Sequence, residues 1–126
     1  MNLDRKHIRP IIKGISTILN KSVEEAFQNE TLRPIIKFQH ELLIAHFRAY
    51  LVSKKCNFKQ FTQVKQEAYI AVVFLKDNSY KSELKGIVIG QFTADEFAVY
   101  SSNKGDFNKR ILTMIKQRII SVCQSI

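Results

Sequence analysis

Apolar side chains recur every three or four positions along nearly the whole of this chain, and that spacing leaves little room for anything but helices. Ile8, Ile11, Ile12, Ile15, Ile18 and Leu19 fall on one helical face, with the regular part beginning near Pro10 and stopping at Asn20. Ser22 and Glu25 have capping-box spacing. They open a helix predicted to run to about Lys54, kinked or restarted at Pro34. Along it Thr31, Ile35, Phe38, Leu42, Ala45, Ala49 and Val52 make one stripe, flanked by a second from Ile36, Leu43, Phe47 and Tyr50. An apolar surface that wide is buried on more than one side. The segment Phe38–Phe47 is therefore expected at the centre of the domain, or between two subunits.

Farther on, Thr62 is placed to cap a helix over 63–76, with Val64, Ala68, Ala71, Val72 and Leu75 inward. Asp77-Asn78-Ser79 is a turn and cap cluster, after which Tyr80, Leu84, Ile87 and Gln91 share a face. Gly86 and Gly90 offer a smooth strip for close helix approach. Thr93 and Glu96 form a second capping box before a short helix carrying Phe97 and Tyr100, and Asp106 caps a last helix with a seam of Leu112, Ile115, Ile119, Val122 and Ile126. The expected fold is one all-α domain spanning residues 1–126, five or six helices around one long central helix. The alternative is α+β: 68–75 and 86–92 are rich in β-branched and aromatic residues, and a hairpin over 68–92 fits that composition.

The chain has 126 residues, enough for one domain with its own core. Its 20 Lys and Arg against 11 Asp and Glu give a net charge of +9. The excess sits in three blocks of +4: residues 1–21 (five basic, one acidic), 53–85 (seven and three) and 104–126 (five and one). Such a field attracts anions: nucleic acid, phosphate metabolites, acidic proteins or anionic lipid. A lysine-rich soluble surface has the same composition, and no aromatic-plus-basic cluster of the single-strand-binding kind reinforces nucleic acid.

Two cysteines, Cys56 and Cys123, 67 residues apart and without CxxC, are neither a disulfide framework nor a zinc site. The basic start has spaced isoleucines, not the continuous apolar run of a signal peptide, and the longest apolar run, Ala68–Leu75, is too short to span a bilayer. A cytoplasmic location with reduced thiols is expected.

Chemistry-bearing motifs are sparse. His40 and His46 are six apart, which turns them away from each other on a helix, whereas a helical zinc motif needs four. No metal site, cofactor or catalytic nucleophile is expected. The pair Arg9-Pro-Ile-Ile-Lys13 and Arg33-Pro-Ile-Ile-Lys37 reads either as two helix starts converging on one anion or as two ordinary beginnings of a buried helical face. Candidate anion- or partner-binding residues are Arg9, Arg33, Lys37, Lys109, Arg110 and Lys116. Gln39, His46 and Gln91 lie on apolar faces, where a polar group must find a partner, so they either tie helices together or line a pocket.

The blocks FQNETLRPIIKFQHELLIAHF (27–47), LKGIVIGQFTADEFAVY (84–100) and NKRILTMIKQRI (108–119) resemble a family of small bacterial proteins of about this length, uncharacterised in role, some of whose members carry the name glyoxalase. The resemblance covers most of 22–126 and brings no catalytic residues with it. The label implies a lyase acting on a hemithioacetal, with paired βαβββ units around His and Glu metal ligands, whereas the residues here predict helices and no ligand set. The expected function is accordingly a small non-catalytic binding or interaction module, homodimeric, with a basic surface. A glyoxalase-type lyase and nucleic-acid binding are the alternatives.

Overall fold

Ser22 begins the first helix as its spacing predicts: its hydroxyl accepts the Glu25 N–H at 3.0 Å. The computed structural model describes residues 22–126, so Arg9, the first copy of the repeat and the helix expected from Pro10 lie outside the described residues. The elements are α1 (Val23–Phe27), a π-helical turn (Gln28–Leu32), α2 (Arg33–Phe38), α3 (His40–Ser53), a 3₁₀ turn (Phe58–Gln60), α4 (Gln63–Lys76), α5 (Asn78–Ile89), α6 (Ala94–Ser102), α7 (Lys104–Val122) and a closing 3₁₀ turn (Cys123–Ser125). No strand occurs among the described residues, and the hairpin alternative over 68–92 is replaced by α4 and α5. No helix among the described residues is long and apolar enough to cross a membrane.

The single helix expected from Ser22 to Lys54 is jointed twice. Proline cannot donate to the carbonyl four residues back, and its ring crowds it. The backbone widens into a π turn just before Pro34, the Arg33 N–H bonding back to the Gln28 carbonyl, and a regular helix restarts with Pro34 in its first turn. The second joint, at Gln39 (φ −92°, ψ 12°), has no proline to announce it. α3 then ends in a Schellman motif: Cys56 N–H donates to the Leu51 carbonyl and Lys55 N–H to the Val52 carbonyl, with Lys55 at φ 53°.

β-branched residues in α4 and α5 stay helical because both starts are capped and the core needs a three-and-four repeat. Thr62 Oγ1 accepts the Lys65 N–H at 3.2 Å, and Asp77 Oδ1 accepts the Tyr80 N–H at 3.1 Å. The inward face of α4 differs from the expected one. Ile70, Val73, Phe74 and Gln66 are buried, whereas Val64, Val72 and Leu75 are exposed. The buried set carries a phenyl ring, and the Gln66 amide donates to the Phe58 carbonyl at 3.1 Å, so that face both removes a large ring from water and places its amide nitrogen. On α5, Tyr80, Leu84 and Val88 form the core row. Gly86 and Gly90 are exposed, and nothing lies within 4 Å of where a Gly86 Cβ would sit, so the pair is not a packing strip.

The core centres on α7, not on the segment 38–47. Phe107, Ile111, Ile115 and Ile119 recur every four residues, all fully buried, and α7 packs against the π turn, α2, α4, α5 and α6. The row continues through Cys123 to Ile126, while Leu112 and Val122 are half-buried at its edge. Asp106 does not cap this helix as expected: Asn103 precedes it without a side-chain cap bond, and Asp106 lies in the first turn, where it accepts from Arg110. The stripes across α2 and α3 are one-sided: Leu43, Ile44, Phe47 and Leu51 are buried while Phe38, at the end of α2, and Leu42 and Val52 face outward. The Thr93–Glu96 box closes in both directions, at 3.2 and 2.9 Å, and Tyr100 is buried behind it while Phe97 is exposed.

Candidate functional site

Two depressions collect the polar chemistry, and their charges are opposite. The first is a groove of about 570 Å³ between the α1–α2 arm and α7, whose charged lining residues are Arg33, Asp106, Lys109, Arg110 and Arg118. Positions 106, 110, 113, 117 and 121 share a face of α7, one turn apart. Asp106 Oδ2 accepts from Arg110 Nε at 2.7 Å, an i,i+4 pair, and the π turn brings Gln28 Oε1 within 2.8 Å of the same guanidinium. Arg33 donates to Asn29 Oδ1 at 3.2 Å, and an Arg118 nitrogen lies 3.3 Å from His40 Nδ1. A guanidinium has five N–H donors, so each arginine is oriented by one or two bonds and retains others.

Of the six candidate anion-binding residues, the groove brings together Arg33, Lys109 and Arg110. Lys37 is exposed on α2, and Lys116 is half-buried on another face of α7; neither lines the groove. Arg118 was not singled out from the sequence, although it lies two turns beyond Arg110, the one signal that pairs them.

The second depression, about 390 Å³, lies between α3 and α5 and includes His46, Tyr50, Lys54, Asp77, Tyr80 and Glu83 in its lining. His46 Nε2 is 2.7 Å from Glu83 Oε1, and Tyr50 donates its hydroxyl to Asp77 Oδ2 at 2.7 Å. Tyr80 stacks at a tilt on Tyr50 (4.6 Å between centroids) and on His46 (5.3 Å). Burial, and then the bond to Asp77, push the Tyr50 phenol well above its ordinary range, while that bond and the Tyr80 N–H hold the Asp77 carboxyl below its own. Burial raises Tyr80 likewise. Of the three polar residues marked as pocket candidates, His46 alone lines this cavity. Gln39 forms the joint between α2 and α3, and Gln91 is half-buried past the end of α5 with its Oε1 unpartnered. Tyr50, Asp77 and Glu83 were not legible as one site, because they lie 27 to 37 residues from their α3 and α5 partners.

Among the described residues no group of three or more His, Cys, Asp or Glu side chains is placed to hold a metal ion. Cys56 is half-buried and Cys123 buried, where desolvation raises its thiol pKa. Comparison with protein-family models, with curated proteins and with solved structures finds no match to this chain.

Proposed function

We propose that this chain is a non-catalytic binding module that holds an acidic segment of a partner protein in the groove between the α1–α2 arm and α7. The observation that carries this reading is the gathering of Arg33, Lys109, Arg110 and Arg118 along one groove against a single carboxylate, Asp106. The groove follows α7 from Asp106 to Ser121, roughly 22 Å at the helical rise. That length suits a chain of carboxylates better than one small anion. Guanidinium forks already turned by Gln28, Asn29 and His40 lose little entropy when they bind a carboxylate in two-toothed fashion. The free thiols Cys56 and Cys123 suit a reducing, cytoplasmic setting.

Fluorescence anisotropy with a labelled Glu/Asp-rich peptide tests the groove. Binding is expected at low salt, fading as salt rises and weakened at least about tenfold in an Arg110→Gln, Arg118→Gln double variant. Equal binding by the double variant rejects the groove. Tighter binding of an oligonucleotide at the same residues replaces the acidic peptide with nucleic acid.

We also propose that the module pairs with a second copy through the ridge Phe38, Leu42, Ala45, Ala49 and Val52. On α3 Leu42, Ala45, Ala49 and Val52 have the 3-4-3 spacing of a coiled-coil seam, which a second identical helix complements, with Phe38 beside them across the Gln39 joint; Phe38, Leu42 and Val52 are 42%, 47% and 78% exposed. Light scattering at micromolar concentration should give twice the chain mass, and monomer alone removes the pairing.

A further inference from the structure

The chain enters the described fold at a corner that is acidic and partly apolar. α1 starts at Val23, which is 63% exposed, and Phe27, one turn later, is buried against Phe92 at 5.6 Å. The row of rings continues to the outside of α6: Phe92 lies 5.6 Å from Tyr100, and Tyr100 lies 5.8 Å from Phe97, which is 44% exposed. Ala94, Ala98 and Ser101 share the outward face of α6 with Phe97. The charge of this corner departs from that of the chain. Residues 22–32 and 86–103, which Phe27 and Phe92 bring together, hold five of the eleven Asp and Glu and no Lys or Arg. Glu25 and Asp95 are exposed, Glu24 is half-buried, and Lys104, 6.0 Å from the Phe97 ring, is a cation at the rim.

We propose that this corner is the docking surface for the chain's own residues 8–19, which precede the described residues and fold back onto it as a helix, isoleucine face on Val23 and Phe97 and cations toward Glu24, Glu25 and Asp95. Ile8, Ile11, Ile12, Ile15, Ile18 and Leu19 recur at helical spacing, and a helix of about ten residues does not hold in water without an apolar partner. Residues 1–21 carry five basic residues against one acidic, the sign that this corner attracts. Asn20, Lys21 and Ser22 alone separate the segment from α1, and so short a connection makes antiparallel neighbours. The other exposed apolar rows suit it less. Val64, Val72 and Leu75 on α4 belong to the stretch 53–85, whose seven cations against three acids repel a basic segment. The α3 ridge has the spacing that an identical helix complements. The docking uses neither that ridge nor the α7 groove, so it stands or falls apart from both.

The experiment is a set of methyl and aromatic NOE spectra of the full chain, with a mixture of labelled and unlabelled chains to separate contacts within one chain from contacts between two. NOEs within one chain are expected from the Ile11, Ile15 or Ile18 methyls to the Phe97 ring or the Val23 methyls. In an Ile11→Asp, Ile15→Asp variant the amides of Ala98, Val99 and Tyr100 should exchange with solvent at least about tenfold faster, while Ile70, Val73, Ile111 and Ile115 keep their protection and show that the fold is intact. Should the variant not fold, the NOEs of the wild-type chain decide. Absence of NOEs from these isoleucines to the corner, contacts only between chains, contacts instead to Leu75 on α4 or Leu42 on α3, or unchanged α6 exchange in the folded variant overturns the proposal.

Discussion

The groove beside α7 and the cleft beside α3 are built from the same kind of helix pair, yet they treat polar groups in opposite ways. In the groove the arginines are neutralised or oriented by Asp106, Gln28, Asn29 and His40, all half-buried. In the cleft, Tyr80 Oη and His46 Nδ1 are enclosed without protein partners beside bonds of 2.7 Å that are made. The difference teaches where this fold spends stability. A satisfied, half-exposed arginine is nearly neutral, whereas a buried unmet hydroxyl is a standing cost that removal or a ligand relieves.

The largest effects should come from the floors beneath the two sites, and should be alike. Phe107 lies under the groove side against Phe27, and Phe47 lies under the cleft against Tyr80; both are fully buried. Phe107→Ala and Phe47→Ala should each lose about 3–5 kcal/mol in urea unfolding. A much smaller loss for Phe47→Ala would mean that the cleft side is loosely packed, and would break the comparison at its base.

The pH dependence should separate the two regions next. Phenols raised above their unfolded value favour folding below about pH 10, and that contribution is lost as pH rises through the folded values. Tyr50 and Tyr80 are raised by burial beside the cleft, and Tyr69, pushed up to about 12, lies near them. Stability should therefore fall above about pH 10, with late-titrating tyrosinate absorbance, and Tyr80→Phe should shrink the fall. Asp77 has the opposite sign. Its carboxyl is depressed, so its contribution is present above about pH 4 and lost as pH drops through its folded value. Asp77→Asn should flatten that acid limb, as followed by circular dichroism.

Removing one polar group from each site should then give changes of opposite sign. Arg110→Met leaves Gln28 Oε1 and Asp106 unpaired and should cost about 0.5–1.5 kcal/mol. Tyr80→Phe should be neutral or stabilising by up to about 1 kcal/mol. If both variants lose stability equally, the Tyr80 hydroxyl is not a cost and the contrast fails. The smallest changes serve as references at residues that line neither site. Gly86→Ala, in open space within α5, and Lys55→Gly, at φ 53°, should each gain about 0.5–1 kcal/mol by thermal unfolding.

What was legible along the chain was local. The caps at Ser22, Thr62, Asp77 and Thr93 need only residues three positions apart, and the structure makes each of those bonds. The all-helical class followed from periodicity, and the disturbance at Pro34 from a missing N–H. Faces were less legible. Val64, Val72 and Leu75 keep helical spacing as faithfully as Ile70, Val73 and Phe74, and only the neighbours of α4 decide which set leaves water.

The sites divide along the same line. Arg33, Lys109 and Arg110 were readable as cations near helix starts and ends, but their meeting depends on the π turn that sets Gln28 beside Arg110, 82 residues away. Helix identity and the caps at Ser22, Thr62, Asp77 and Thr93 were decided within the span of a hydrogen-bonded turn, so the amino-acid order alone determined them. The central role of α7, the outward turn of the Phe38–Val52 ridge and the enclosure of Tyr80 were decided by tertiary packing. Burial depends on what lies across the contact, and the chain does not write its partners next to one another.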